Sequence, residues 1–189
     1  MIGLAKLHKV QIGAHPSYPD SMNFGRLSME IPDDELIKNV SDQINTLQHI
    51  AQKHQYPITH IKAHGALYND IAKNKYRALT FLKAISPFKK YCQIFVPHQS
   101  NIATEARKQG FQVRYEAFAD RNYTDDLSLV SRTKANAMIT DTQKVIDHIR
   151  LMKDKQLAKT ISGKKVPIKA DTFCVHSDSK NALDILKQI

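Results

Sequence analysis

Several residues able to transfer protons or bind anions follow short apolar runs that are typical of β-strands. They are His15, His64, His98, Glu116, Asp120, Arg121, His176 and Asp178. In parallel α/β folds, the carboxyl ends of the strands and the loops after them form the ligand site. Because these groups come from separate strands, their convergence predicts a catalytic or binding site.

The loop after the first strand contains two prolines and several polar side chains. Pro16 and Pro19 restrict its backbone, so His15 and Asp20 are expected to be held in fixed positions, as a general base or a metal ligand requires. Asp20 could equally cap a turn. Arg26 could bind a carboxylate through two hydrogen bonds or remain solvated.

The second strand leads into the run Lys62-Ala63-His64-Gly65. Alternation along a strand places Lys62 and His64 on one face. A lysine that points into a barrel is costly unless it meets an anion, and Gly65 would let a ligand approach the backbone closely. The alternative is an edge strand whose polar face lies in water.

Two later segments pair acids with basic groups. Asp120 and Arg121 are adjacent and could form a buried structural ion pair or bind a ligand. His176 and Asp178 are two residues apart, so Asp178 could orient the imidazole or cap the helix expected from Ser179. The sequence leaves both alternatives open.

Hydrophobic patterns predict alternating strands and helices. The strands are residues 10–15, 58–64, 93–98, 111–116 and 168–175, and the helices are residues 31–54, 76–85, 101–109, 141–155 and 179–189. Strands separated by helices favour a parallel α/β sheet or barrel. Without a linker or repeat, we expect a single domain over residues 1–189.

Composition and missing motifs exclude several classes of protein. The 189 residues include only two cysteines, so a disulfide scaffold is not expected. No apolar run is long enough to cross a bilayer, and the first residues are too polar for a signal peptide, so neither a transmembrane span nor a signal peptide is expected. A cytoplasmic protein is the expectation. The net charge of +10 is spread along the chain, which argues against nucleic-acid binding. P-loop, G-x-G-x-x-G, G-x-S-x-G and H-E-x-x-H motifs are absent.

Five stretches carry a more specific signal. They are IGAHPSYPD (12–20), NFGR (23–26), KAHGALYN (62–69), EAFADRNY (116–123) with LVSR (129–132), and CVHSD (174–178). In this order and spacing, they resemble the motifs of the LamB/YcsF family. The resemblance implies a distorted (β/α) barrel, similar to the barrels of glycoside hydrolases and polysaccharide deacetylases.

The resemblance also implies an activity: the ATP-dependent hydrolysis of the cyclic amide 5-oxoproline to glutamate, by an A component acting with subunits B and C of a 5-oxoprolinase. Proton transfer and catalysis would then fall to His15, Asp20, Lys62, His64, Asp120 and His176. Substrate binding would fall to Arg26, Asn69, Glu116, Arg121, Tyr123 and Asp178. Arg26, Lys62 and Arg121 would supply positive charge, the individual proton-transfer roles stay open, and a metal is neither implied nor excluded.

The chain also departs from the family pattern. Family members open with a D-x-N-x-D-x-G-E-type strand and a C-G-x-H-A-G-D-type motif, and this chain has neither. We therefore expect a barrel without its first strands. Two alternatives remain: a metal-dependent, deacetylase-like carbohydrate hydrolase, suggested by His15 and His64 at strand ends, and an inactive truncated remnant that only binds partner subunits.

Overall fold

Parallel strands alternate with helices along the chain, which confirms the predicted α/β class. The computed structural model describes residues 1–179 and 181–189, and these residues form two compact units, residues 1–114 and 115–189. Each unit contains its own parallel strand pairing. A single domain over residues 1–189 stays a prediction.

The first unit is built from three parallel strands and the helices that connect them. Its elements are α1 (Ile2–Leu7), β1 (Ile12–Ala14), α2 (Asp33–Lys53), β2 (Ile58–Ile61), α3 (Gly65–Lys73), α4 (Lys75–Ile85), a 3₁₀ turn (Ser86–Phe88), β3 (Gln93–Pro97) and α5 (Asn101–Lys108). β2 lies between β1 and β3, with Gly13 opposite His60 and His60 opposite Gln93.

The second unit combines a parallel strand pair with a small antiparallel hairpin. Its elements are β4 (Val113–Phe118), which begins at the end of the first unit, α6 (Thr142–Lys155), β5 (Leu157–Lys159), β6 (Lys165–Pro167), β7 (Thr172–Cys174) and α7 (Ala182–Gln188). β4 pairs with β7 in parallel, and β5 pairs with β6 in antiparallel orientation.

Helix α2 matches its prediction closely because several local signals agree. Three acidic residues, Asp33, Asp34 and Glu35, occupy its first turn, where the helix dipole favours negative charge. Its buried face consists of Leu36, Val40, Ile44 and Ala51. Full burial of an aliphatic side chain of this kind contributes about 1.5–3 kcal/mol to stability.

Helix α6 also begins where the sequence predicts. The Asp141 carboxylate accepts a hydrogen bond from the Lys144 amide at 2.8 Å and caps the helix. The helix buries Val145 and Ile149 in a cluster with Ala119 and Ile185. This cluster packs against the segment that carries the second polar cluster described below.

Other elements differ from the predictions. Helix α3 and the β5–β6 hairpin were not predicted, because α3 begins at a glycine with positive φ and the hairpin strands are short and lysine-rich. The last helix begins only at Ala182, with Asn181 as its N-cap, so the start predicted at Ser179 is wrong and the alternative in which Asp178 caps this helix is excluded. Lys180, within the predicted helix, lies outside the described residues.

A close backbone contact joins the loop after β1 to the start of α3. The Ala66 amide donates a hydrogen bond to the Gly25 carbonyl at 2.9 Å, and a Cβ on Gly65 would lie only 2.3 Å from that oxygen. Gly65 also has a φ of +59°. The close approach that we expected for a ligand is therefore made by the chain's own Gly25.

Within the described part of the chain, the search for a membrane-spanning helix gives no candidate of sufficient length and apolarity.

Replacing Gly65 with alanine should destabilise the first unit more than replacing Gly110. Both glycines have positive φ, +59° and +73°, but a Cβ at Gly110 would meet only the flexible end of Lys89 at 3.4 Å. We expect a loss of about 1 kcal/mol for Gly110→Ala from the backbone alone and about 3 kcal/mol for Gly65→Ala from added overlap. Urea unfolding measures both, and equal losses would contradict the Gly25–Gly65 contact.

Candidate functional site

Two histidines at the ends of β1 and β2 contact each other directly. His64 Nδ1 lies 3.0 Å from His15 Nε2, and the rings meet edge to face with centroids 4.8 Å apart. His15 Nδ1 lies 2.8 Å from the Lys62 carbonyl oxygen, and His64 Nε2 lies 2.9 Å from that of Phe24. The structure therefore brings the His15 and His64 rings together beside the Lys62 backbone carbonyl. A catalytic role for these three residues stays a prediction.

The NFGR segment reaches this pair through its backbone and its aromatic ring. Phe24 has a φ of +56°, which is uncommon for a residue with a side chain, and its ring contacts His64 edge to face at 5.2 Å. The Phe24 carbonyl oxygen contacts His64 Nε2, and the carbonyl of the next residue, Gly25, accepts a hydrogen bond from the Ala66 amide. Two successive carbonyls thus fix this loop against the start of α3.

Two cations belong to the same unit. The Arg26 guanidinium lies over the Phe24 ring, 5.4 Å from its centroid, and Arg26 is exposed. The Lys62 ammonium lies 5.8 Å from the centroid of the Tyr68 ring, and Lys62 is half-buried. Both charges rest against aromatic faces, which favour cations.

The two carboxylate oxygens of Asp20 differ in their hydrogen bonding. Asn23 donates to Asp20 Oδ1 from its backbone amide at 3.1 Å and from its side-chain amide at 3.0 Å. Asp20 Oδ2 is buried and has no hydrogen-bond partner among the described residues. A buried acceptor without a donor is uncommon, so Oδ2 is suited to accept a proton or a ligand hydrogen bond. Asn69, also predicted as a site residue, is exposed on α3.

Sequence reasoning missed His60, which lies on β2 between β1 and β3. Its ring stacks on Phe95 of β3, with centroids 4.3 Å apart and planes within 6°. A Cβ on Gly13 of β1 would lie 2.2 Å from His60 Nε2, so only glycine leaves room for this ring. Burial and the nearby Lys62 charge lower the pKa of His60, which favours its neutral form.

The second unit contains a buried carboxylate, Asp120, that orients His176. Asp120 is 0% exposed, and its Oδ1 lies 2.8 Å from His176 Nδ1. Its Oδ2 accepts hydrogen bonds from the His176 amide at 3.0 Å and from the Ser179 hydroxyl at 2.6 Å. These bonds fix the His176 ring and leave its Nε2 as the nitrogen that can exchange a proton.

The balance of forces on Asp120 favours its ionised form. Burial alone raises the pKa of this carboxyl, but the hydrogen bonds from His176 and Ser179 outweigh burial, so the pKa lies below its ordinary value of 3.8. The Phe118 ring stacks on His176 at 5.5 Å and fixes the imidazole further. The arrangement is that of a carboxylate-oriented general base or acid.

Arg121 and Tyr123 hold the backbone around this carboxylate. Both are buried, and the Arg121 guanidinium donates to the carbonyls of Ala137 at 3.3 Å and Val130 at 2.5 Å. The Phe118 amide donates to the Tyr123 hydroxyl oxygen at 2.7 Å. Arg121 therefore bonds backbone carbonyls, whereas the Asp120 oxygens bond His176 and Ser179. Substrate contact by Arg121 and Tyr123 stays a prediction.

Glu116 and Asp178 occupy different environments in this unit. Glu116 is buried in β4, whereas Asp178 is exposed and pairs with Arg132 at 3.4 Å. Asp120, and not Asp178, orients the His176 ring, which decides the alternative left open by the sequence. A substrate role for Glu116 and Asp178 stays a prediction.

Ser179 is a further residue that sequence reasoning missed. It follows the CVHSD motif directly, and its hydroxyl donates to the buried Asp120. Its only sequence signal was its place one residue after that motif. Within residues 1–179 and 181–189, no three His, Cys, Asp or Glu side chains are grouped so that they could hold a metal ion.

The Asp120 network should make stability depend on pH in one direction. Because the folded pKa of Asp120 lies below 3.8, its contribution is full above about pH 4 and is lost as pH falls through the folded pKa. At neutral pH, Asp120→Asn should cost about 3 kcal/mol or more, and this difference should shrink below pH 4. Urea unfolding against pH measures it, with the exposed Asp147→Asn as control; a constant difference would contradict the network.

The comparisons with known proteins cover nearly the whole chain. The family model described as LamB/YcsF family matches residues 1–189. The chain is 39% identical over 188 residues to the A subunit of 5-oxoprolinase from Staphylococcus haemolyticus (strain JCSC1435), covering 100% of this chain and 75% of that protein. It is 36% identical over 189 residues to the A subunit of 5-oxoprolinase from Vibrio campbellii (strain ATCC BAA-1116), with the same coverage.

A solved structure supports the same assignment. The crystal structure of lactam utilization protein from Thermus thermophilus matches with a TM-score of 0.89 and 30% identity, over 99% of this chain and 76% of that one. This match confirms the predicted fold class. The chain belongs to the LamB/YcsF family.

Proposed function

We propose that this chain is the A component of an ATP-dependent 5-oxoprolinase, which hydrolyses the cyclic amide of 5-oxoproline to glutamate together with subunits B and C. The observation that carries the proposal is similarity over the whole chain to proteins named as the A subunit of 5-oxoprolinase, at 36–39% identity. The similar solved structure is that of a lactam utilization protein. A cytoplasmic location is part of the proposal.

The chemistry of the substrate defines what such a site must contain. A five-membered lactam is an unstrained amide stabilised by resonance, so water attacks it slowly. ATP, as a second substrate, would phosphorylate the amide oxygen and release ADP, which makes the ring carbon electrophilic. A water molecule would then add to this carbon, and the C–N bond would break as the ring nitrogen takes up a proton, which leaves an acyl phosphate. A second water molecule would hydrolyse the acyl phosphate to the glutamate carboxylate and phosphate, so the protein must bind the substrate carboxylate, activate water and protonate the ring nitrogen.

The second unit has the group best suited to move protons. His176 keeps a proton on Nδ1, where it faces the buried Asp120 carboxylate, and its Nε2 can take a proton from water and return it to the ring nitrogen. Asp120 stabilises the imidazolium that forms in between. His176 is the proposed general base and acid, and Asp120 and Ser179 are positioning residues.

The first unit has the groups best suited to bind anions. Arg26 is exposed and its guanidinium rests on Phe24, and a planar guanidinium matches the two oxygens of a carboxylate. Lys62 adds a second positive charge. Asp20 Oδ2, a buried acceptor without a donor among the described residues, suits a hydrogen bond from the substrate N–H or from water.

Replacing His176 should abolish most of the activity. For the chain mixed with its companion subunits, ATP and 5-oxoproline, we expect His176→Ala to slow glutamate formation about 10²–10⁴-fold. The exposed His49 on α2 gives the matched control, and His49→Ala should retain full activity. If the unaltered chain forms no glutamate in this mixture, or if His176→Ala remains active, the proposed mechanism is wrong.

Arg26 should govern substrate affinity rather than turnover. Lysine keeps the charge but loses the planar, two-pronged contact, so Arg26→Lys should raise KM for 5-oxoproline about tenfold with little change in kcat. Arg150, exposed on α6, gives the control Arg150→Lys, which should alter neither constant. A lower kcat at unchanged KM would place Arg26 at the reacting atoms instead.

A further inference from the structure

The contacts of His15 and His64 restrict where their protons lie. The outer nitrogen of each ring faces a carbonyl oxygen: His15 Nδ1 faces Lys62 at 2.8 Å, and His64 Nε2 faces Phe24 at 2.9 Å. A carbonyl oxygen only accepts hydrogen bonds. Both outer nitrogens must therefore carry a hydrogen for these two bonds to exist.

The inner contact then requires one more proton. A neutral imidazole has a single N–H, and each ring already uses it on a carbonyl. The inner nitrogens, His15 Nε2 and His64 Nδ1, lie 3.0 Å apart, and without a further proton two lone pairs would face each other. A third hydrogen between them turns this repulsion into a charge-assisted hydrogen bond.

We propose that His15 and His64 share one extra proton, so that the pair is a single cation which fastens the NFGR loop to the ends of β1 and β2. The pair then holds three hydrogens on four nitrogens. The proposal concerns the chain itself and does not depend on the reaction that it catalyses.

The charged groups of the surrounding elements act in opposite directions. Arg26 on the loop and Lys62 at the end of β2 disfavour an additional positive charge, whereas Asp20 on the same loop favours it.

The shared proton has a mechanical consequence for the loop. The Gly25 carbonyl is held by the Ala66 amide at any pH, but the neighbouring Phe24 carbonyl is held by His64. When the pair loses its third proton, one of its contacts must break. The loop that carries Phe24 and Arg26 then loses its hydrogen bond at the Phe24 carbonyl, while the bond between Gly25 and Ala66 remains.

Nitrogen NMR of the full chain tests the proposal directly. In long-range proton–nitrogen spectra of the ¹⁵N-labelled chain, we expect three of the four ring nitrogens of His15 and His64 to be protonated at the midpoint of the exposed His49. The pair should release its third proton about one pH unit or more above His49, which is tenfold tighter proton binding. A pair with only two protonated nitrogens at that midpoint overturns the proposal.

The variant His15→Phe tests whether His64 holds the extra proton because of His15 or because of its other surroundings. In His15→Phe the ring shape stays but the inner acceptor is lost, so His64 should release its proton near the midpoint of His49. Phe24→Leu, which keeps the backbone carbonyl, should leave three protonated nitrogens, and His54→Phe serves as an exposed control. If His64 in His15→Phe titrates as in the unaltered chain, the proton is not shared; if that variant does not fold, the spectra of the unaltered chain decide.

Discussion

A carboxylate without exposed surface determines the organisation of the second unit. The Asp120 side chain would be costly to bury if its oxygens lacked donors, and the His176 amide, the His176 ring and the Ser179 hydroxyl supply them. These donors come from the segment just after β7, which pairs with β4. The requirement to satisfy one charge therefore fixes the position of the histidine best suited to transfer protons.

A steric constraint has the corresponding role in the first unit. The Gly25 carbonyl occupies the space that a side chain at Gly65 would need. Because the backbones approach so closely, the Ala66 amide can donate a hydrogen bond to the Gly25 carbonyl and the His64 ring can contact the Phe24 carbonyl. Arg26 follows directly. The two glycines in the NFGR and KAHG runs thus explain how a loop between β1 and α2 is attached to the end of β2.

The sequence predicted the features that depend on local signals. The periodicity and acidic first turn of α2, and the Asp141 cap of α6, determine those helices wherever the chain places them. Helix α3 depends instead on a tertiary contact at Gly65, and the β5–β6 hairpin consists of two strands of three residues each. Patterns of hydrophobicity do not contain such information.

The candidate site shows the same division. Strand ends indicated His15, His64 and His176, because residue type and position suffice for that inference. The partner of His176 was not apparent, because Asp120 lies 56 residues away and the nearer Asp178 fitted the spacing equally well. Residue type and spacing did not indicate the roles of Ser179 and His60, since these roles arise from a buried carboxylate and from the space beside Gly13.

The central claim is that the buried Asp120 carboxylate fixes the orientation and the tautomer of His176. The most direct measurement is a long-range proton–nitrogen NMR spectrum of the ¹⁵N-labelled chain. The account predicts that the neutral His176 ring keeps its proton on Nδ1 and that this preference is lost in Asp120→Asn. A neutral ring protonated on Nε2 in the unaltered chain would contradict it.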